Sequence, residues 1–274
     1  MIIKVLSENI SNSPLLKKEH GLCLYIETEN KEYLFDFGAS QNFYYNANQI
    51  NLDLSDVDYA ILSHGHNDHG GGLSKFMEIN KVAKIFAHKE AFLPHFSFKK
   101  ESPQDIGVSM DSIDQKRLII VEDRHKINEN AEIFRSIKEH FSPLSKDYHL
   151  FTKDSKNNFI TDTFSHEINL LIKENEKTFL FTGCAHRGIR NILEGYKRLF
   201  NTYPTYVIGG FHLSKIDLQD KNILKGLNDL VDYMKKTKAY FYTGHCTGYI
   251  IYEFLKKKLE DQINYISTGT NIII

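Results

Sequence analysis

The chain has 274 residues, 25% of them charged and 41% hydrophobic, with 34 basic against 35 acidic side chains and a formal net charge of −1. That balance argues against a basic nucleic-acid binder, and 12% aromatic residues argue against disorder. No apolar run approaches the roughly 18 residues of a membrane helix. The first ten residues enter a strand-like pattern directly, so no signal peptide is expected and the protein is expected in the cytoplasm. Three cysteines, Cys23, Cys184 and Cys246, are too few for a disulfide framework and suit a thiol or metal role in a reducing compartment. Histidine is the anomaly, with 13 residues spread along the chain.

Short apolar runs rich in β-branched and aromatic residues predict strands at 2–6, 22–26 and 33–37, with a hairpin turn at Asn30 and Lys31. Residues 41–50 read as a short helix, 57–62 as a strand, 72–80 as a helix and 82–87 as a strand. The segment 94–116 is polar and shows no sustained period. It is expected to be a long loop, an insertion that covers the site as a mobile lid. Strand patterns resume at 117–121, 131–137, 168–172, 178–181, 205–208, 240–242 and 264–267, with helical patterns at 188–198, 220–236 and 248–259. Strands alternating with helices point to an α/β fold, and the absence of a linker or repeat points to a single domain over 1–274.

The strongest chemical signal is Ser63-His64-Gly65-His66-Asn67-Asp68-His69-Gly70-Gly71-Gly72, set between a predicted strand and a predicted helix. In extended backbone His64 and His66 point to the same side. Asp68 and His69 add a carboxylate and a third imidazole, and this donor mixture suits zinc, iron or manganese. The glycines are expected to let the backbone turn tightly and start the helix. Three weaker signals repeat one arrangement, a strand followed by Gly and then His or Cys: Gly183-Cys184-Ala185-His186, Gly209-Gly210-Phe211-His212, and Gly244-His245-Cys246. A buried thiol beside a capping histidine is the plain reading of the first alone. Together they resemble the strand-end ligand sites of layered α/β folds.

With these motifs in place, the chain resembles the metallo-β-lactamase superfamily, whose mark is His-x-His-x-Asp-His after a strand. Within it the chain is similar to a branch related to a dihydropterin ribofuranosyl-aminobenzene phosphate synthase. The shared segments are Glu19-His20-Gly21-Leu22, Leu34 to Gly38, Ser63 to Leu73, Thr182 to Ile189, Gly209 to Leu213 and His245 to Gly248. The resemblance implies an αββα four-layer sandwich and two divalent metal ions, with zinc expected first and manganese or iron as alternatives. Carried over residue by residue, His64 and His66 belong to the first metal, and Asp68, His69 and His245 to the second. Cys184 stands where the superfamily usually has a bridging aspartate, and a thiolate there softens the site. The third histidine of the first metal is His186 or His166, with His186 favoured because its motif is the more specific match. Asp36 is expected to orient a ligand histidine, and His20, His88 and His212 to line the pocket. His95, His125, His140 and His149 are expected on the surface or in loops.

The activity expected is metal-assisted hydrolysis of a phosphoester of a small molecule, with Asp68 taking the proton from water. The alternatives are iron-dependent oxygen or thiol chemistry on the same ligands, and a non-catalytic binder of a pterin-like ligand. The partner expected is a phosphorylated small molecule, with neither nucleic acid nor membrane.

Overall fold

The computed structural model describes residues 1–99, 102–111, 113–136, 141–145 and 149–274. The chain divides into two compact units: Met1–Glu122 with Asp147–Ile168 and Ser267–Ile274, and Asp123–Lys146 with Asn169–Ile266. Each pairs a mixed sheet with helices, the α/β class that the alternation of elements predicts.

In the first unit a seven-stranded sheet runs in the order Asn271–Ile273, Ile2–Ser7, Cys23–Glu27, Glu32–Phe35, Tyr59–Ile61, Lys84–Ala87 and Leu118–Ile120. The first four strands pair antiparallel and the last four parallel. The strands Glu32–Phe35, Tyr59–Ile61 and Lys84–Ala87 are short and largely buried, which is the pattern of strands covered on both faces, while the edge strand Leu118–Ile120 is half-buried to exposed. Leu34, Phe37, Phe43, Leu62, Phe76 and Ile85 form the centre of this unit's core. The second unit has its own seven-stranded sheet, ordered Ile263–Tyr265, Tyr240–Thr243, Tyr206–Gly209, Lys177–Thr182, Asn169–Glu174, Ala131–Phe134 and Arg124–Lys126. Its first four strands are parallel. Helices Ile189–Phe200, Lys221–Thr237 and Tyr249–Leu259 contribute Ile192, Tyr196, Leu230, Met234 and Leu255 to its core.

This topology decides where the chemistry falls. The C-terminal ends of parallel strands open onto Asp36, Ser63 and His88 in the first unit, and onto Cys184, His212 and His245 in the second. Loops at such ends converge because all the strands finish on one edge.

The segment 94–116 departs from the expected loop. His95–Lys99 and Ser102–Asp105 form an antiparallel hairpin, extended by Leu150–Lys153 and Phe159–Thr161 into a four-stranded sheet. Its pattern is inverted: His95 and Ser97 are buried, while Phe96 and Phe98 are half-buried and pack edge-on against Phe159. Polar residues on the buried face hide the strand from a hydrophobicity reading. Its partner strand also lies some fifty residues further along the chain. Residues 100, 101 and 112, inside the same segment, and His140 lie outside the described residues.

A single buried amide ties the loops under the first sheet. Asn80 is fully buried; its Nδ2 donates to the Leu54 and Val57 carbonyls, and its Oδ1 accepts from the Val82 and Ala83 amides and from Arg117. Asn80→Ala strands several buried polar groups at once. It is expected to destabilise the protein by about 3 kcal/mol, read as a fall in denaturation midpoint. A loss below about 0.5 kcal/mol would show that water replaces those bonds at no cost.

Candidate metal centre

The strand Tyr59–Ile61 ends at Leu62, and the histidine loop follows at once. Its anchor is Asp36, fully buried at the end of the neighbouring strand with φ +60°. A left-handed backbone costs a non-glycine residue roughly 1–2 kcal/mol, and here it turns the carboxylate towards the loop. Asp36 Oδ1 accepts from the Ser63 amide at 2.7 Å, while Oδ2 accepts from the Ser63 hydroxyl at 2.8 Å and from His69 Nδ1 at 2.6 Å. Since the Ser63 hydroxyl donates to the carboxylate, it must accept from His64 Nδ1, 2.9 Å away. In both imidazoles Nδ1 therefore carries a hydrogen, and in the neutral form Nε2 is the lone-pair donor. Their rings lie 4.2 Å apart.

Donor atoms of His64, His66 and Asp68 lie within 4.8 Å of one another, which fits a first-row divalent ion chemically as well as spatially. His20, exposed, reaches Asp68 Oδ2 with Nε2 at 3.3 Å. Asn9 Nδ2 donates to its Nδ1 at 3.1 Å, so Nε2 carries the hydrogen that Asp68 accepts. The glycines work differently from expectation. Gly71 and Gly72 have ordinary helical angles, with φ −62° and −82°. A side chain on Gly72 would sit 2.1 Å from the Phe37 carbonyl, and one on Gly71 2.2 Å from that of Ala39. They are needed for close approach of two backbones rather than for a special turn.

Beside this loop the structure assembles His95, Asp162 and His166, of which the sequence points only to His166. His95, expected on the surface, is 1% exposed; its Nδ1 donates to Asp162 at 2.8 Å and its Nε2 faces the Glu90 carbonyl at 3.1 Å. His166 accepts the Gly65 amide on Nδ1 at 3.0 Å and faces Asp162 with Nε2 at 3.3 Å. His166 thus holds the histidine loop through Nδ1 and meets Asp162 through Nε2. Burial pushes the Asp162 carboxyl up, but the bonds from His166 and His95 outweigh it and hold the group well below the ordinary carboxylate range. Burial pushes the His166 imidazole down. His66, His95 and Asp162 also bring donor atoms within 4.8 Å. His88 is buried and accepts the Glu90 amide at 3.2 Å, capping a short 3₁₀ turn. His125 and His149 are half-buried.

In the second unit Cys184, His212 and Cys246 bring their donor atoms within 4.8 Å. The His212 amide donates to Cys246 Sγ at 3.2 Å, and Cys246 Sγ donates to the Cys184 carbonyl at 3.4 Å. Burial raises the Cys246 thiol, but contacts with Cys184 and His212 hold it well below the usual thiol value. The His186 and His212 rings are 4.1 Å apart. Ala185, His212 and His245 all have φ between +50° and +56°, so backbone strain collects at these three turns, as it does at functional sites generally. Cys246 was legible as part of a Gly-His-Cys strand end, but only the fold sets it beside Cys184.

Known proteins share this fold. A profile of the metallo-beta-lactamase superfamily matches residues 16–223, and the chain belongs to that superfamily. Two relatives come from Methanocaldococcus jannaschii. An uncharacterized protein is 29% identical over 249 residues, covering 90% of this chain and 91% of its own. A 7,8-dihydropterin-6-methyl-4-(beta-D-ribofuranosyl)-aminobenzene-5'-phosphate synthase is 29% identical over 286 residues, covering 94% and 90%. Among solved structures, a metal-dependent hydrolase of the beta-lactamase superfamily superposes with a TM-score of 0.83 at 25% identity, covering 100% of this chain and 99% of that one. The metallo-β-lactamase fold expected from the motifs is thereby established.

Asp36→Asn keeps the size and removes the charge that fixes His69 and Ser63. It is expected to weaken metal binding by about 10- to 100-fold, measured by competition with a chromogenic chelator. An affinity unchanged from the parent would mean that the histidine loop holds its geometry without the carboxylate.

Proposed function

We propose that the protein is a metal-dependent hydrolase acting on a phosphoester of a small molecule, with divalent ions, zinc first, held at the histidine loop. The observation that carries this is the convergence of His64, His66 and Asp68 donors within 4.8 Å, beside a carboxylate that presents the Nε2 atoms of His64 and His69. A divalent ion bound there supplies Lewis acidity and lowers the pKa of water. Asp68, partly open to solvent, would accept a proton from water activated there, and His20 holds its carboxylate in orientation. The solved metal-dependent hydrolase supports the reaction class. The relative named as the synthase of an aminobenzene-5'-phosphate supports a phosphate-bearing substrate.

Elemental analysis of protein purified without added metal, followed by assay on bis-p-nitrophenyl phosphate, is the direct test. Zinc or manganese near stoichiometry with turnover is expected, and His66→Ala is expected to lose bound metal and activity together. Full metal content and full activity in His66→Ala would sink the assignment. The soft donors Cys184 and Cys246 favour a second reading, iron-dependent oxygen or thiol chemistry. A single tightly bound iron with no hydrolysis would select it.

The other ligands that the resemblance implies, Cys184, His186 and His245, belong to the second unit. Cys184→Ala is expected to reduce the number of ions bound per chain, and Cys184→Asp to retain that number while shifting which ion is preferred. Unchanged stoichiometry and preference in both variants would make Cys184 a buried thiol and nothing more.

A further inference from the structure

The second unit contains a cavity of about 330 Å³, within the range of small-molecule pockets. Phe211, Leu213 and Leu230 give it apolar walls, and residues 141–145 cross it. That crossing is built in. Asn191, 1% exposed, accepts the Phe141 amide at 3.1 Å and donates to the Phe141 carbonyl at 2.7 Å. Helix Lys221–Thr237 carries a glycine at 226, at a cost of about 1 kcal/mol relative to alanine. A side chain there would come within 2.5 Å of Leu144, so the glycine makes room for the crossing segment.

Arg190 also lines this cavity. Its guanidinium lies 3.5 Å from the Phe141 ring centre and 4.8 Å from that of Tyr233. Stacking uses the flat faces of a guanidinium and leaves its N–H edge for hydrogen bonds. Its Nε is buried and, among the described residues, has no hydrogen-bond partner. A buried cationic donor left unpaired is costly, and an oxyanion is the group that relieves it. Gly188 and Ile189, at the start of the twelve-residue helix Ile189–Phe200, line the same space, so the positive end of that helix adds to the attraction for an anion. Asp229, exposed, is the one carboxylate among the lining residues; it opposes a second negative charge and suits an N–H edge on the ligand.

We infer that this cavity is a recognition pocket for a flat aromatic or heteroaromatic group bearing one oxyanion, with the ring against Phe211, Leu213 and Leu230 and the anion on Arg190. This goes beyond the hydrolase proposed above and does not depend on it. An oxyanion on a ring is a phosphate or a carboxylate. Phenylphosphonate, which has no ester to cleave, stands for the first, and benzoate for the second.

The test is calorimetric titration of the metal-containing protein with phenylphosphonate, benzoate, benzyl alcohol and inorganic phosphate. Phenylphosphonate is expected to bind at least about tenfold more tightly than benzyl alcohol or inorganic phosphate, because only it offers both ring and charge. Tighter benzoate than phenylphosphonate would assign the anion as a carboxylate and keep the pocket. Arg190→Met is expected to weaken phenylphosphonate by about tenfold or more while metal content stays unchanged. Asp229→Asn, on the surface, is expected to tighten it by roughly two- to threefold. Equal phenylphosphonate affinity in the parent and Arg190→Met overturns the pocket. So does benzyl alcohol binding as well as the anions. Arg190-dependent binding without turnover of any phosphoester would sink the hydrolase reading and leave the pocket standing. Turnover with Arg190-independent binding would do the reverse.

Discussion

The histidine loop depends on one buried carboxylate. Asp36 accepts three hydrogen bonds, from the Ser63 amide, the Ser63 hydroxyl and the His69 ring, and through Ser63 it also sets the His64 tautomer. A buried carboxylate without those partners would be several kcal/mol less stable. The same turn is joined to its surroundings by main-chain bonds, Asp36 N to the Ile61 carbonyl and Phe37 N to that of His69. The strain at φ +60° is thus over-determined by what surrounds it, which is the condition for strain to persist.

Support of this kind recurs outward from the loop. His166 holds the Gly65 amide, Asp162 holds His166 and His95, and burial makes each link depend on the next. A ligand histidine that keeps one orientation loses little entropy on meeting a metal. The glycines at 71 and 72 belong to the same design, because they let the loop pack directly on the backbone after the Asp36 strand. The Glu19 segment braces that backbone from outside: its carboxylate accepts from Ser7, Ala39, Ser40 and Asn42.

The second unit handles polarity differently. Its strand ends carry thiols and imidazoles in strained turns, and its cavity pairs apolar walls with a stacked guanidinium. The first unit supplies hard and borderline donors, and the second softer ones and a shaped space. A superfamily that hosts many reactions on one scaffold differs in exactly such features, because the fold sets the strand ends and leaves their side chains free to vary.

Much of this was readable in the chain itself. His64, His66, Asp68 and His69 crowd six residues after an apolar run, and local spacing alone brings such donors together. The strands at 59–61, 84–87, 177–182 and 206–209 are centred on short apolar runs, so the burial of those residues shows in composition. Other features were not local. His95 looked like a surface residue because its strand places polar side chains inward, and its partner Asp162 is 67 residues away. Cys246 joins Cys184 across 62 residues, through parallel strands whose order no sequence period records. Arg190 reads as an ordinary charge near a helix start until Phe141, 49 positions earlier, is laid on its face. The sequence by itself determined the superfamily, the α/β class and the histidine loop, since short-range spacing carries them. Only the tertiary structure decided which distant side chains stand behind that loop and what the second unit can hold, because those contacts come from strand order and close packing.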